Sequence, residues 1–188
     1  RREARSWSAA FVSVGLFAAT FRLGGGWLDL AHVDSLSLAL LLGGMWMLRV
    51  DPSPARSGVV AGAMFVASCL AKQSSATALA PLVLWTLVAD RKRGIPLAVT
   101  VVLAGAGAVA ALQAASHGWF RYYVFDVARR HPRDVSLLWE FPVHDLGRHL
   151  GPAVAVAVAG TALRWRWWRS RDGGLLLALL AGLLGTSW

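Results

Sequence analysis

Residues 58–90 read GVVAGAMFVASCLAKQSSATALAPLVLWTLVAD, 33 residues in which the only charges are Lys72 and the final Asp90. Two apolar runs, 58–70 and 77–88, flank a short polar turn at Lys72–Ser75. Neither run carries the polar stripe that a helix on a soluble protein needs, so the pair reads as a helical hairpin within a bilayer. Outward from this hairpin the same texture recurs at 7–20, 34–48, 95–115, 152–163 and from 174 onward. The pattern predicts an all-α fold, a polytopic transmembrane helical bundle of about seven spans, with a long outer-face loop at 116–151 that contains an interfacial helix. Several runs fall short of the roughly 20 residues that cross a bilayer. Their ends must borrow flanking residues, or stop where protein or water satisfies the backbone, as in helices that line a cavity.

Composition agrees with a membrane protein. Of 188 residues 56% are hydrophobic and 15% charged, and the charges are clumped between long uncharged stretches. The net charge of +9 and the isoelectric point near 11.4 do not indicate nucleic acid, because the basic residues punctuate the ends of apolar segments instead of lining one face. A β-barrel is set aside as well: only 153–159 alternates, and it does so between two apolar residue types. The chain begins at Arg1 without a methionine and stops inside an apolar run, so it is expected to be a fragment of one transmembrane domain, cut at both ends. The basic start followed by an apolar stretch imitates a signal peptide but is taken as an ordinary first span. Cys69 is the single cysteine, which forbids an internal disulfide and leaves it as a small mid-span hydrophobe.

If consecutive helices alternate in direction, the turns at 1–5, 49–56, 90–94 and 164–172 fall on one side, and these hold 12 of the 19 Lys and Arg. Short basic turns mark the cytoplasmic side. The opposite, outer side then receives all five histidines (His32, His117, His131, His144, His149) and six of the ten acids, among them Asp34 and Asp126. Trp165, Trp167 and Trp168, interleaved with Arg164, Arg166 and Arg169, read as a cytoplasmic interfacial anchor. The small-residue run Ala104, Gly105, Gly107, Ala108, Ala111 suits close helix packing.

Three places on the outer side carry polar chemistry. Asp34 in RLGGGWLDLAHVDS precedes an apolar helix and reads either as an N-cap or as an acid that holds a cation or a polar substrate; the two roles are compatible. Lys72 in LAKQSSAT reads either as a snorkelling lysine or as an ammonium that meets an anionic headgroup such as phosphate, with Gln73, Ser74 and Ser75 adding donors beside it. The stretch HGWFRYYVFDVARRHP sets Trp119, Phe120, Tyr122, Tyr123 and Phe125 among Arg121, Arg129 and Arg130. It reads either as an aromatic anchor at the interface, or as a cap in which rings stack on sugars and arginines hold phosphate. Metal binding has little support, since the histidines lack a dense ligand spacing; Asp145 and His149, at i and i+4, would share a helix face. Nor does any G-x-S-x-G or comparable hydrolase arrangement occur.

At these places the sequence resembles the polytopic glycosyltransferases that use a polyprenyl-phosphate-linked sugar, the superfamily of protein O-mannosyltransferases and bacterial aminoarabinose transferases. The similar stretches are GGWLDLAHVDSLSLALLL, FVASCLAKQSSATALAPLVL and GWFRYYVFDVARRHP. They are most like bacterial members with an ARVDSL-type segment, where this chain has His32 in place of the arginine. The resemblance implies an inverting sugar transfer at the outer face of the bacterial inner (plasma) membrane, from a lipid-linked sugar donor embedded among membrane lipids, with no nucleic acid partner. It implies that the catalytic base lies in an outer loop upstream of Arg1. It matches Asp34 to a second acid that binds substrate or supports a divalent metal ion, the one cofactor the resemblance allows, and Lys72 to the lysine that meets the lipid phosphate. Asp34, Lys72, Gln73, Arg121, Tyr122, Arg129 and His131 are thus the expected substrate- and donor-binding residues. The rival reading is a transporter or flippase of a lipid-linked or anionic substrate, which predicts internal repeats and a site at mid-bilayer. No repeat is visible, and the polar residues gather at one face.

Overall fold

A computed structural model describes residues 33–127, 129, 130, 165–168 and 170–184, with isolated positions elsewhere. Every regular element among them is helical: α1 (Val33–Val50), α2 (Pro54–Ala71), α3 (Ser75–Ala89), α4 (Arg91–Ala115), the single turn α5 (Trp119–Arg121) leading into a π-helical segment (Tyr122–Val127), α6 (Trp165–Trp168) and α7 (Arg171–Leu184). The helices begin where the sequence supplies start signals. Pro54 occupies the first turn of α2, where its missing N–H is no loss, and Asp90 caps α4 by accepting from the backbone N–H of Arg93. Lys72 ends α2 in an extended conformation (φ −145°), and three residues later α3 begins.

α2 lies between α1 and α4, and α3 lies between α4 and α7. The shared core draws Leu41, Met45 and Leu48 from α1, Ala61 and Phe65 from α2, Ala78 and Leu82 from α3, Leu97 from α4, and Leu175 and Leu179 from α7. Glycines let the backbones approach. A Cβ at Gly58 would sit 2.5 Å from the Arg93 carbonyl oxygen, and one at Gly62 would sit 2.8 Å from Thr100 Cβ, so this G-x-x-x-G face of α2 seats α4 directly. The small-residue run of α4, in contrast, makes no such seam among the described residues. Gly107 has nothing within 4 Å of its would-be Cβ, and Val102 and Leu103 beside it are 64% and 68% exposed. Gly105 of the run reaches ordinary contact with Val66, 4.0 Å from its would-be Cβ, and among the described residues the close helix seam is at Gly58 and Gly62.

Among the described residues three helices, α1, α2 and α4, are long and apolar enough to cross a membrane, against the seven spans expected of the whole chain. The 15 residues of α3 and the 14 of α7 rise only about 22 and 21 Å, short of a hydrocarbon layer of roughly 30 Å. Neither described length spans that layer by itself, and α7 is described only as far as Leu184. The spans expected at 7–20 and 152–163, and most of the 116–151 loop, lie outside the described residues apart from isolated positions. Alternation in direction does hold. The start of α1, the end of α2, the start of α3 and the chain after α4 meet at one end of the bundle, while the turns at 51–53 and 90 and the start of α7 meet at the other.

Candidate functional site

Asp34 stands in the first turn of α1 and Lys72 closes α2, and the lysine ammonium donates to the Asp34 carboxylate. Asp34 is not spent as an N-cap: its side chain crosses to the next helix. The pair is open to solvent, with the lysine side chain 45% and the aspartate 28% exposed, so its strength is that of a screened surface pair. Just below it, one turn along α1 and α2 and at the first residue of α3, three buried serines join the three helices. Ser68 Oγ donates to the Ser37 carbonyl (2.8 Å), Ser37 Oγ lies 3.1 Å from the Ser68 carbonyl oxygen and 2.9 Å from Ser68 Oγ, and Ser75 Oγ meets Ser37 Oγ at 2.6 Å. Sequence reasoning passed over Ser37 and Ser68. Their spacing offered a signal, since Ser37 follows Asp34 by three and Ser68 precedes Lys72 by four, which puts each below its charged partner on the same helix face.

Beyond Lys72 the surface opens into two clefts that share Phe120 as a wall. One, of about 310 Å³, is lined by Cys69, Ala71, Lys72, Gln73, Phe120 and Val124. The other, of about 420 Å³, is lined by Gln113, Phe120, Arg121, Phe125, Asp126 and Arg129. The backbone after α4 explains the division. His117 (φ 50°) and Gly118 (φ 98°) turn the chain back through left-handed conformations, for which glycine is suited, and the Gly118 N–H returns to the Gln113 carbonyl. Gln113 Oε1 then accepts from the Arg121 N–H and Ser116 Oγ from the Phe120 N–H, fixing the next turn. Over Tyr122–Val127 the helix widens to i→i+5 bonding, a form that recurs at functional sites. Residues four and five apart then share a face, which brings Phe120, Arg121, Phe125, Asp126 and Arg129 to one cleft. Trp119, Tyr122 and Tyr123 pack on one another instead, with ring centroids 5.3–5.8 Å apart.

The expected site residues are therefore sorted by the fold. Asp34, Lys72 and Gln73 stand together at the mouth of the first cleft. Arg121 and Arg129 line the second, and Tyr122 lines neither. His131 lies outside the described residues, as do Asp145, His149 and every histidine except His117 and its turn. The Asp34 carboxylate accepts from Lys72, and among the described residues no three His, Cys, Asp or Glu side chains converge.

The arginine-rich end of the bundle is held together by ion pairs. Arg56 grips Asp51 through two bonds (2.7 and 3.0 Å), while Arg93 reaches both the Asp90 carboxylate (2.7 Å) and the Asp51 carbonyl (2.9 Å). Arg171 joins Asp90 at 3.0 Å, and Arg49 lies 3.7 Å from Asp172. The Arg56 guanidinium and the Ser53 N–H hold the Asp51 carboxyl below its ordinary range. Burial pushes the Asp90 carboxyl up, but hydrogen bonds from Arg93 and Arg171 outweigh it, and the net direction is down. This network ties the turn after α1, the turn before α4 and the start of α7 together. Comparison with protein-family models, curated proteins and solved structures returns no match for the chain.

Proposed function

We propose that this chain is the membrane-embedded part of a glycosyltransferase that takes a sugar from a polyprenyl-phosphate donor and delivers it to an acceptor at the outer face of the plasma membrane, with the arginine-rich end cytoplasmic. One observation carries the reading. The two segments that resemble such enzymes, one around Asp34 and one around Lys72, lie 38 positions apart and meet through that ion pair and the serine cluster below it, at the mouth of a cleft. An apolar tail would rest among lipids beside three membrane-length helices, while a phosphate would reach Lys72 and Gln73 at their end.

In the transfer, a lone pair of the acceptor oxygen or nitrogen forms a bond to the anomeric carbon. The bond from that carbon to the phosphate oxygen breaks, its electrons stay with the phosphate, and the acceptor proton passes to a carboxylate base. No described residue is assigned as that base. Charge grows on the departing phosphate, and a fixed ammonium beside it favours the transition state over the ground state. Lys72 offers three donors on a stem whose root is fixed by the end of α2, and Asp34 holds the ammonium in place until an anion competes for it.

The test is transfer from polyprenyl-phosphate sugars by the natural full-length protein in vesicles, with Asp34→Asn and Lys72→Met. Losing Lys72 should slow transfer by about 10²–10³, as for loss of a single charge-stabilising donor elsewhere. Unchanged turnover in both variants, with folding intact, refutes the assignment. Movement of a labelled lipid across the vesicle without transfer would favour the flippase reading.

A further inference from the structure

Arginines at the two ends of the bundle are treated differently. Arg56, Arg93 and Arg171 at the network end each hold an aspartate within 3.0 Å. Arg121 and Arg129 line the larger cleft, and among the described residues neither is in ion-pair contact with a carboxylate, although Asp126 lines the same cleft. The cleft thus has two unneutralised guanidiniums, one acid at its side and two phenyl rings for walls. Gln113, whose Oε1 is committed to the Arg121 backbone, retains its Nε2 donor there. Guanidinium forks match the oxygens of a phosphate or carboxylate, and phenyl faces accept the ring or chain attached to it.

We infer that this cleft is a second anion site, walled off by Phe120 from the one at Lys72, and that it takes the phosphate-bearing end of an acceptor. The acceptor role rests on the glycosyltransferase reading; anion binding in the cleft does not. Lys72 lines one cleft and Arg121 and Arg129 line the other, with Phe120 common to both, so each cleft has its own cation set for a phosphate. Two anionic molecules, placed on either side of one ring, are what a transfer between two charged partners needs. Asp126 works against binding, so its removal strengthens it.

The experiment measures binding to the full-length protein in zwitterionic nanodiscs by calorimetry, with glucose 1-phosphate as a soluble probe and phosphatidylglycerol added to the disc as a headgroup probe. Arg121→Gln with Arg129→Gln should weaken at least one probe tenfold or more, Asp126→Asn should tighten it, and an arginine-dependent binding step should persist in Lys72→Met. Response to glucose 1-phosphate alone identifies a soluble ligand, and response to phosphatidylglycerol alone identifies a lipid. Unchanged binding in the double arginine variant overturns the site, as does an equal loss in Lys72→Met, which would mean a single shared site. Absence of binding by either probe in the wild type overturns it too. Transfer assayed in the same variants separates the two claims: weakened binding with undiminished transfer keeps the anion site and removes its acceptor role. Near-ultraviolet dichroism of each variant confirms that the aromatic packing around Trp119 is retained.

Discussion

The serine cluster beneath Asp34 and Lys72 makes a quantitative prediction. A hydroxyl has one proton, so Ser37 Oγ cannot donate to all three oxygens near it at 2.6, 2.9 and 3.1 Å. The assignment that satisfies every group has Ser68 donating to the Ser37 carbonyl, Ser37 to the Ser68 carbonyl, and Ser75 to Ser37 Oγ. Ser37→Ala then breaks two bonds and strands the Ser75 hydroxyl. With interhelical hydrogen bonds in membranes averaging about 0.6 and reaching about 1.7 kcal/mol, the expected loss is about 1–3 kcal/mol. Ser75→Ala breaks one of the same bonds and should cost about 1 kcal/mol. Since the two variants share a contact, the double variant should cost less than their sum by about 1 kcal/mol. Reversible unfolding in bicelles, followed by denaturing detergent or steric trapping, measures all three. Additivity within about 0.3 kcal/mol would refute the shared bond.

Other consequences are equally direct. Gly58→Leu should destabilise the seam between α2 and α4 by about 1–3 kcal/mol, since its new atoms meet the Arg93 carbonyl and Leu97 backbone, whereas Gly107→Ala should be neutral or slightly stabilising. Thermal unfolding midpoints separate the two. Asp51 and Asp90 titrate below their ordinary range in the folded protein, so the stability they give is fully present above the unfolded pKa near about 3.9 and is lost as pH falls through the lower folded values. Unfolding followed from pH 6 to pH 2 should show a steep acid limb, and Asp51→Asn should flatten part of it. Trp85 donates from its indole N–H to the Arg171 carbonyl at 3.1 Å, so Trp85→Phe should loosen α7 from α3 by about 1 kcal/mol, read as faster hydrogen exchange in α7.

Much of the helical layout was legible in the sequence because apolar runs are a direct record of helix interiors. The runs at 34–48, 58–70, 77–88 and 95–115 became α1 to α4, each helix extending past its run by one to four residues at one end or both. The extensions are polar turns such as Pro54–Ser57 and Arg91–Gly94, invisible to hydropathy but favoured by Pro54 at a helix start and by the Asp90 cap. Among the described residues fewer spans reach membrane length than the apolar runs predict, because hydropathy records apolar character and not rise, and so gives α3 the same weight as α1. The sorting of turns to two ends was readable from helix alternation alone. The cross-helix contacts were not: Asp34 meeting Lys72, Gly58 meeting the Arg93 backbone and Arg171 meeting Asp90 all depend on which helices become neighbours. The π-helical stretch was also hidden, because a regular helix would have set Arg121 and Asp126 on different faces.

The unequal helices have a consequence for the lipid around them. The apolar stretch of α4 at 95–115 rises about 31 Å and matches a hydrocarbon layer, while α3 falls short by roughly 8 Å. A leaflet bordering both walls must sag toward the shorter one, at a fraction of a kcal/mol for each ångström of mismatch. The α3 wall starts at Ser75, beside Lys72 and its cleft. Elastic deformation would therefore gather the polar heads of nearby lipids into a shallow dimple at the cleft mouth, so that the bilayer itself helps to present them. On the proposed transferase reading, acyl-chain length then becomes a control on transfer, with shorter-chain bilayers relaxing the sag and longer-chain ones deepening it.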